Sequence, residues 1–150
     1  SVLLQSLNEK YKMKKRLIKE LFLVFGIVIS ICILEILVIE LVGVRLFKII
    51  FGEAWGFSGE ISRILVWSYA FNFLVTSFSA IFISLNKIKM LSIWQIIYFI
   101  LILSLFFFRT LGFMDFLKLY VLIELVCYFI NAGMMLSIVL SYEREIKFVK

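Results

Sequence analysis

The sequence predicts an all-α integral membrane protein, a bundle of four transmembrane helices. Three observations carry that expectation. Of 150 residues, 64% are hydrophobic and 17% charged, with a mean hydropathy of +1.12. An average globular domain is roughly 45–50% apolar and about 25% charged, so the surplus here exceeds what a core of this size can hide from water. The charges also fall between long apolar runs, and proline is absent, so no helix breaker interrupts those runs. A membrane-spanning strand would need about 9–11 alternating residues, and no stretch alternates.

Taken in order, residues 1–16 form a basic, cytoplasmic segment, SVLLQSLNEKYKMKKR. The chain opens on Ser1, and this stretch reads as part of a longer polypeptide. A cleavable signal peptide is not expected, because the basic region follows the first apolar residues and no small-residue cleavage site comes after it. The first span is expected at 17–42, uncharged from Leu21 to Leu34 and then interrupted only by Glu35 and Glu40. The second is expected at 62–86, the third at 89–109 between Lys89 and Arg109, and the fourth at 117–141, interrupted by Glu124. Each run is close to or above the roughly 20 residues that cross the hydrocarbon core as a helix. Residues 142–150 form a second cytoplasmic tail.

Between the first two spans, residues 45–60 are too polar to cross yet rich in Phe and Trp. They read as an interfacial stretch, with Phe47, Phe51, Trp55 and Phe57 suited to the headgroup level. Gly52, Gly56 and Gly59 have GxxxG-like spacing, and outside a spanning segment they read as turn glycines.

Orientation follows from the cations. Eleven Lys and Arg residues lie on the side of the two ends and the Lys87–Lys89 turn, whereas Arg45, Lys48, Arg63, Arg109 and Lys118 lie on the other. The positive-inside rule therefore expects both termini in the cytoplasm.

Composition argues against enzymology. Histidine is absent, which removes the commonest metal ligand and the commonest general base, and no convergent set of nucleophile and base replaces it. Cys32 and Cys127 sit inside apolar runs without a CxxC spacing and read as buried structural thiols, so no metal site and no cofactor is expected. The net charge of +6 is spread over the ends of apolar segments. Nucleic acid would need a basic stripe interleaved with polar and aromatic groups, so no nucleic-acid partner is expected; the expected surroundings are membrane lipids.

Polar groups at membrane depth are costly and usually face a bundle interior or a water-filled cavity. Glu35 and Glu124 each fall about 10 Å from the outer end of their spans at roughly 1.5 Å per residue, so they are expected at similar depth. If they face each other, proximity and desolvation act on their protonation, a physical basis for proton or cation coupling. Glu40, nearer the interface, reads as a solvated end residue. Ser68, Asn72, Thr76 and Ser79 share one face of the second span, Ser92 and Gln95 are neighbours on the third, and Asn131 shares the face of Glu124. These stripes either pack helices together or line a path for a substrate.

The stretch LFKIIFGEAWGFSGEISRILVWSYAFNFLVTSFSAIFISLNKIKMLSIWQ, from Leu46 to Gln95, resembles the polysaccharide-exporter family of flippases, relatives of the multidrug and toxic compound extrusion transporters and the lipid II flippases. Phe51, Gly52, Glu53 and Trp55, then Gly59 and Arg63-Ile64-Leu65, then Ser79, Leu85-Asn86-Lys87-Ile88-Lys89 and Trp94-Gln95 carry the resemblance. Ser77 and Phe78 stand where the family has Pro-Leu at a kink in this helix. The resemblance implies the last four helices of a twelve-helix exporter in the bacterial cytoplasmic membrane, packed against the N-terminal helices of the same transporter. It also implies that undecaprenyl-pyrophosphate-linked oligosaccharide is moved between leaflets by alternating access.

On that reading Glu35, Glu124, Asn72, Asn131 and Gln95 are the candidates for translocation or coupling. A pyrophosphate calls for Lys, Arg or helix N-termini, whereas the charges within these spans are acidic. Either the cationic lining comes from the other helices, or these carboxylates handle a coupling cation. Arg63 and Arg109 read as interface anchors. Two other functions compete. A stand-alone small multidrug exporter shares the helix number, although dual-topology examples need a weaker cation bias. A non-transporting scaffold would explain the helices without using the polar stripes.

Overall fold

The computed structural model describes residues 18–148, and the basic segment 1–16 lies outside them. Helix α1 (Ile18–Phe51) ends in a turn and a short 3₁₀ segment (Glu53–Trp55), followed by α2 (Gly56–Ser77) and α3 (Ala80–Ser84). Helix α4 (Ile88–Ser104) passes into a 3₁₀ turn (Leu105–Phe108), and α5 (Phe113–Phe148) closes the chain. No strand occurs among the described residues. Four spans are long and apolar enough to cross a membrane: Leu21–Phe51, Glu53–Ser84, Ile88–Phe108 and Phe113–Ile146. Apolar side chains such as Phe22, Leu41, Ile49 and Phe107 point outward along them, a surface that suits lipid and not water.

The spans run up and down in alternation, so the start of α1, the α3–α4 turn and the end of α5 share one side, and the other side is the far side below. The first span packs most extensively on the second, the second on the fourth, and the third on the fourth. The core lies where the first, second and fourth spans meet, around Cys32, Ala70, Phe82, Tyr128 and Met135. Helix α4 buries no residue fully, although Met90, Leu91 and Trp94 pack against that core.

Several expected boundaries move, among them the start of the second span, which is helical from Gly56 and not from 62. The first span continues through residues 45–51 as helix, so the stretch 45–60 is mostly helix on either side of one turn. Leu46–Phe51 keeps the apolar spacing of the span, and the helix stops only at Gly52, whose φ of 102° favours glycine. Lys48 pairs with Glu53 across the turn at 2.8 Å. Gly59 is not a turn glycine: an added Cβ would lie 2.6 Å from the Val44 Cα, so the absence of a side chain lets α1 and α2 approach backbone to backbone. Aromatic contacts gather at this far end, with the Phe51 ring tilted against both Phe47 and Trp55, and Phe57 against Phe113. The fourth span likewise begins at Phe113, not 117, and remains helical through Phe148.

The second span breaks without a proline. At Phe78 and Ser79 the amides turn to carbonyls three residues back, Phe78 to Val75 and Ser79 to Thr76. Around the break, Thr76 Oγ1 and Ser77 Oγ donate to carbonyls in the preceding turn, 2.7 Å each to Asn72 O and Phe73 O. Hydroxyl groups that bond back to the helix in this way loosen and bend it. The second span then ends in a Schellman motif, with Lys87 N–H on Phe82 O at 2.7 Å and Asn86 N–H on Ile83 O at 3.1 Å. Asn86 sits at φ 54°, the left-handed position that motif needs.

Candidate functional site

Glu124 is the centre of a polar cluster buried inside the bundle. It is 3% exposed, although Glu143 near the end of α5 is buried as well. Helix α5 places Tyr120, Glu124 and Tyr128 one turn apart on one face. Ser68 of α2 donates its hydroxyl to Glu124 Oε2. On Oε1, Tyr98 of α4 donates at 2.8 Å and Tyr128 at 3.3 Å. Asn72 Nδ2 donates to the Tyr128 oxygen at 2.7 Å, so the amide supports the tyrosine that supports the carboxylate. Tyr120 interacts with Glu124 from the preceding turn.

Three helices thus converge on one carboxyl group, and all its partners are neutral. No Lys or Arg forms an ion pair with Glu124 among the described residues, and no group of three His, Cys, Asp or Glu side chains that could hold a metal occurs there. A carboxylate enclosed by hydroxyl groups at this depth can hold a proton. With those oxygens turned inward it can also help to coordinate a cation.

The cluster lies deeper than the sequence suggests. From Phe113 to Glu124 the helix rises about 16 Å, because the fourth span starts earlier than expected. Tyr98, its partner, stands at the midpoint of the span Ile88–Phe108. Trp94 Nε1 donates to Cys127 O at 3.0 Å one turn away, so Trp94 and Tyr98 together bind the third span to the fourth.

The structure brings two of the five candidates together, buries a third on the same helix face and leaves two exposed. Glu124 and Asn72 share the cluster. Asn131 follows on the same face of α5, 1% exposed, and its Oδ1 has no hydrogen-bond partner. Glu35 does not face Glu124. Its depth is similar, since Cys32, one turn before it, bonds Ala70 O in the turn beside Ser68. Its side chain is nevertheless exposed, with no hydrogen bond or ion pair to any described residue. Gln95 is exposed as well. Of the stripe on the second span, Ser68 and Asn72 reach the cluster, whereas Thr76 and Ser79 bond their own backbone at the break.

Glu40 is not a solvated end residue. It accepts from Arg63 Nε at 3.0 Å and from Trp67 Nε1 at 2.9 Å, with Arg63 Nη2 at 2.9 Å completing an ion pair between the first two spans. Arg109 lies over the Phe106 ring at 5.0 Å, in keeping with an anchor at the end of its span. Cys32 and Cys127 are free and buried, as expected of structural thiols.

Ser68, Tyr98, Tyr120, Tyr128 and Trp94 are the residues that sequence reasoning did not place in the site. The four-residue spacing of Tyr120, Glu124 and Tyr128 was the available signal. No family model matches the chain, and neither a curated protein nor a solved structure is found that is similar to it.

Proposed function

We propose that this chain is the four-helix part of a flippase in the bacterial cytoplasmic membrane, with both termini cytoplasmic, that moves undecaprenyl-pyrophosphate-linked oligosaccharide between leaflets by alternating access. Glu124 is the group at which a proton or cation couples to the motion. The observation that carries this reading is the enclosed carboxylate: ionisable groups buried at mid-membrane without a counter-charge mark ion and proton routes. The resemblance from Leu46 to Gln95 supports the substrate class. The Lys and Arg distribution supports the orientation. The break at Phe78–Ser79 begins within the Ser77–Phe78 pair that stands where the family carries Pro-Leu, so a bend at that level is available without the proline.

Export of lipid-linked oligosaccharide by the full-length protein is the test. Glu124→Gln keeps the shape of the side chain and most of its hydrogen bonds but can neither ionise nor carry a proton. The variant is expected to insert normally and to export poorly. Normal export by this variant would remove Glu124 from coupling. Mass spectrometry of the intact polypeptide from its source membrane separates the exporter from a stand-alone four-helix protein: about three times this length, by the resemblance to twelve-helix transporters, supports the exporter. A chain of this length would favour the small exporter or a scaffold.

A further inference from the structure

The geometry points to a docking groove for a zwitterionic phospholipid with a primary ammonium headgroup, on the far side between the first, second and fourth spans. The groove encloses about 470 Å³ and is open on one side. Charged and apolar residues share its lining. The Phe57–Phe113 ring pair, with centroids 6.1 Å apart, marks its outer end at the level where aromatic residues meet headgroups. Glu60 lies just under one turn inward from Phe57 and Lys118 little more than one turn inward from Phe113, about 5 Å and 8 Å down their helices. Val121, Leu122 and Leu125 of α5 give the groove one apolar wall, and Glu40, Arg63 and Trp67 of the first two spans line the other. Charged side chains beside an apolar wall suit a lipid, whose headgroup needs the first and whose chains need the second.

The charges at the mouth select the headgroup. Glu60 has no ion-pair partner among the described residues and can accept hydrogen bonds from an ammonium. Lys118 meets Asp115 only at 3.7 Å, with both side chains largely exposed, and remains available to a phosphate. Arg63 spends its Nε and Nη2 hydrogens on Glu40 and keeps Nη1 for the same phosphate. An unpaired anion and cations in one groove offer partners to both the ammonium and the phosphate of such a headgroup. A purely anionic headgroup would meet Glu60 and Glu40 unfavourably. A trimethylammonium headgroup has no N–H to donate. This groove would hold its lipid whether or not the chain transports anything.

The test is native mass spectrometry of the full chain released from nanodiscs. The bilayers contain equal amounts of phosphatidylethanolamine, phosphatidylcholine and phosphatidylglycerol with matched acyl chains. Phosphatidylethanolamine is expected to be retained about tenfold over the other two, the factor that one hydrogen bond to a charged group supplies. Glu60→Gln should erase the preference over phosphatidylcholine. Lys118→Gln should lower retention of phosphatidylethanolamine and phosphatidylglycerol alike. Equal retention of the three lipids by the unaltered chain overturns the proposal, as does an unchanged preference in both variants. Both side chains are exposed, so folding is not at stake, and the comparison among lipids on the unaltered chain decides independently of either variant.

Discussion

Tyr98 and Glu124 are joined by a 2.8 Å hydrogen bond from the tyrosine hydroxyl of the third span to the carboxylate of the fourth. The third span has apolar residues on all sides and buries only Leu105 among them, so packing alone gives it little reason to dock in one orientation. Between apolar helices in lipid there is no hydrophobic drive to associate, and polar contacts decide the rotation. Tyr98 and Trp94 are the two groups that supply them here. The same bond therefore orients a helix and completes the surroundings of the candidate coupling carboxylate.

Removing that hydroxyl should loosen the third span before it affects anything else. Tyr98→Phe is expected to cost about 1 kcal/mol, the usual range for hydrogen bonds between transmembrane helices. Trp94→Phe should cost a similar amount. Thermal unfolding in detergent would check both, and the double substitution should let the third span detach while the other three stay packed. Full additivity of the two, with no change in helix association, would mean that the third span is held by something else.

The close approach at Gly59 predicts a sharper loss. With a Cβ only 2.6 Å from the Val44 Cα, Gly59→Ala has no flexible neighbour to displace, and the two helix backbones must separate. A loss of about 1–3 kcal/mol is expected, as for overpacked cores, read from the unfolding midpoint in detergent. Gly26 is the control: nothing lies within 4 Å of its added Cβ, so Gly26→Ala should be neutral or slightly stabilising through helix propensity.

The Glu40–Arg63 pair should show coupling. Arg63→Ala leaves a carboxylate below the headgroup level with only Trp67 as donor, and the expected loss is on the order of 1 kcal/mol because the pair is partly exposed. Glu40→Ala together with Arg63→Ala should recover part of it. A double-mutant cycle on thermal stability measures the coupling, and strict additivity would show that the pair contributes nothing.

Thiol chemistry offers a check on the fold itself. Cys32 and Cys127 are buried and should resist a water-soluble maleimide in the folded protein but react readily after denaturation in SDS. Rapid labelling of either in the native state would contradict the packing of the first or fourth span.

How much of this was legible in the sequence depends on what each helix offers its neighbours. The number of spans and their approximate limits follow from charge placement, which lipid enforces strictly. The depth of Glu35 relative to Glu124 was legible too, because rise per residue fixes it. Rotation was not. The first span is apolar on every side, so nothing in its pattern says whether Glu35 points at the fourth span or away, and it points away. On the fourth span the polar face was legible, since Glu124 and Asn131 stand on it together. Tyr120 and Tyr128 share that face, but tyrosine is equally at home at an interface, and only contact with Ser68 and Asn72 from another helix separates the two roles. The end of α1 was missed for a local reason: residues 45–51 carry two cations yet keep an apolar face, and helices tolerate that as far as Gly52.

The four spans are also unequal in length, at 31, 32, 21 and 34 residues. At about 1.5 Å per residue the third measures roughly 31 Å, close to the thickness of a hydrocarbon core, whereas the other three approach 45–50 Å. The long ones must lean or project beyond the lipid while the short one fits upright. The bilayer is thereby made a partner in the assembly. Thickening it would let the leaning spans straighten and would leave the third too short, so membrane thickness sets the tilt of three helices against the fourth.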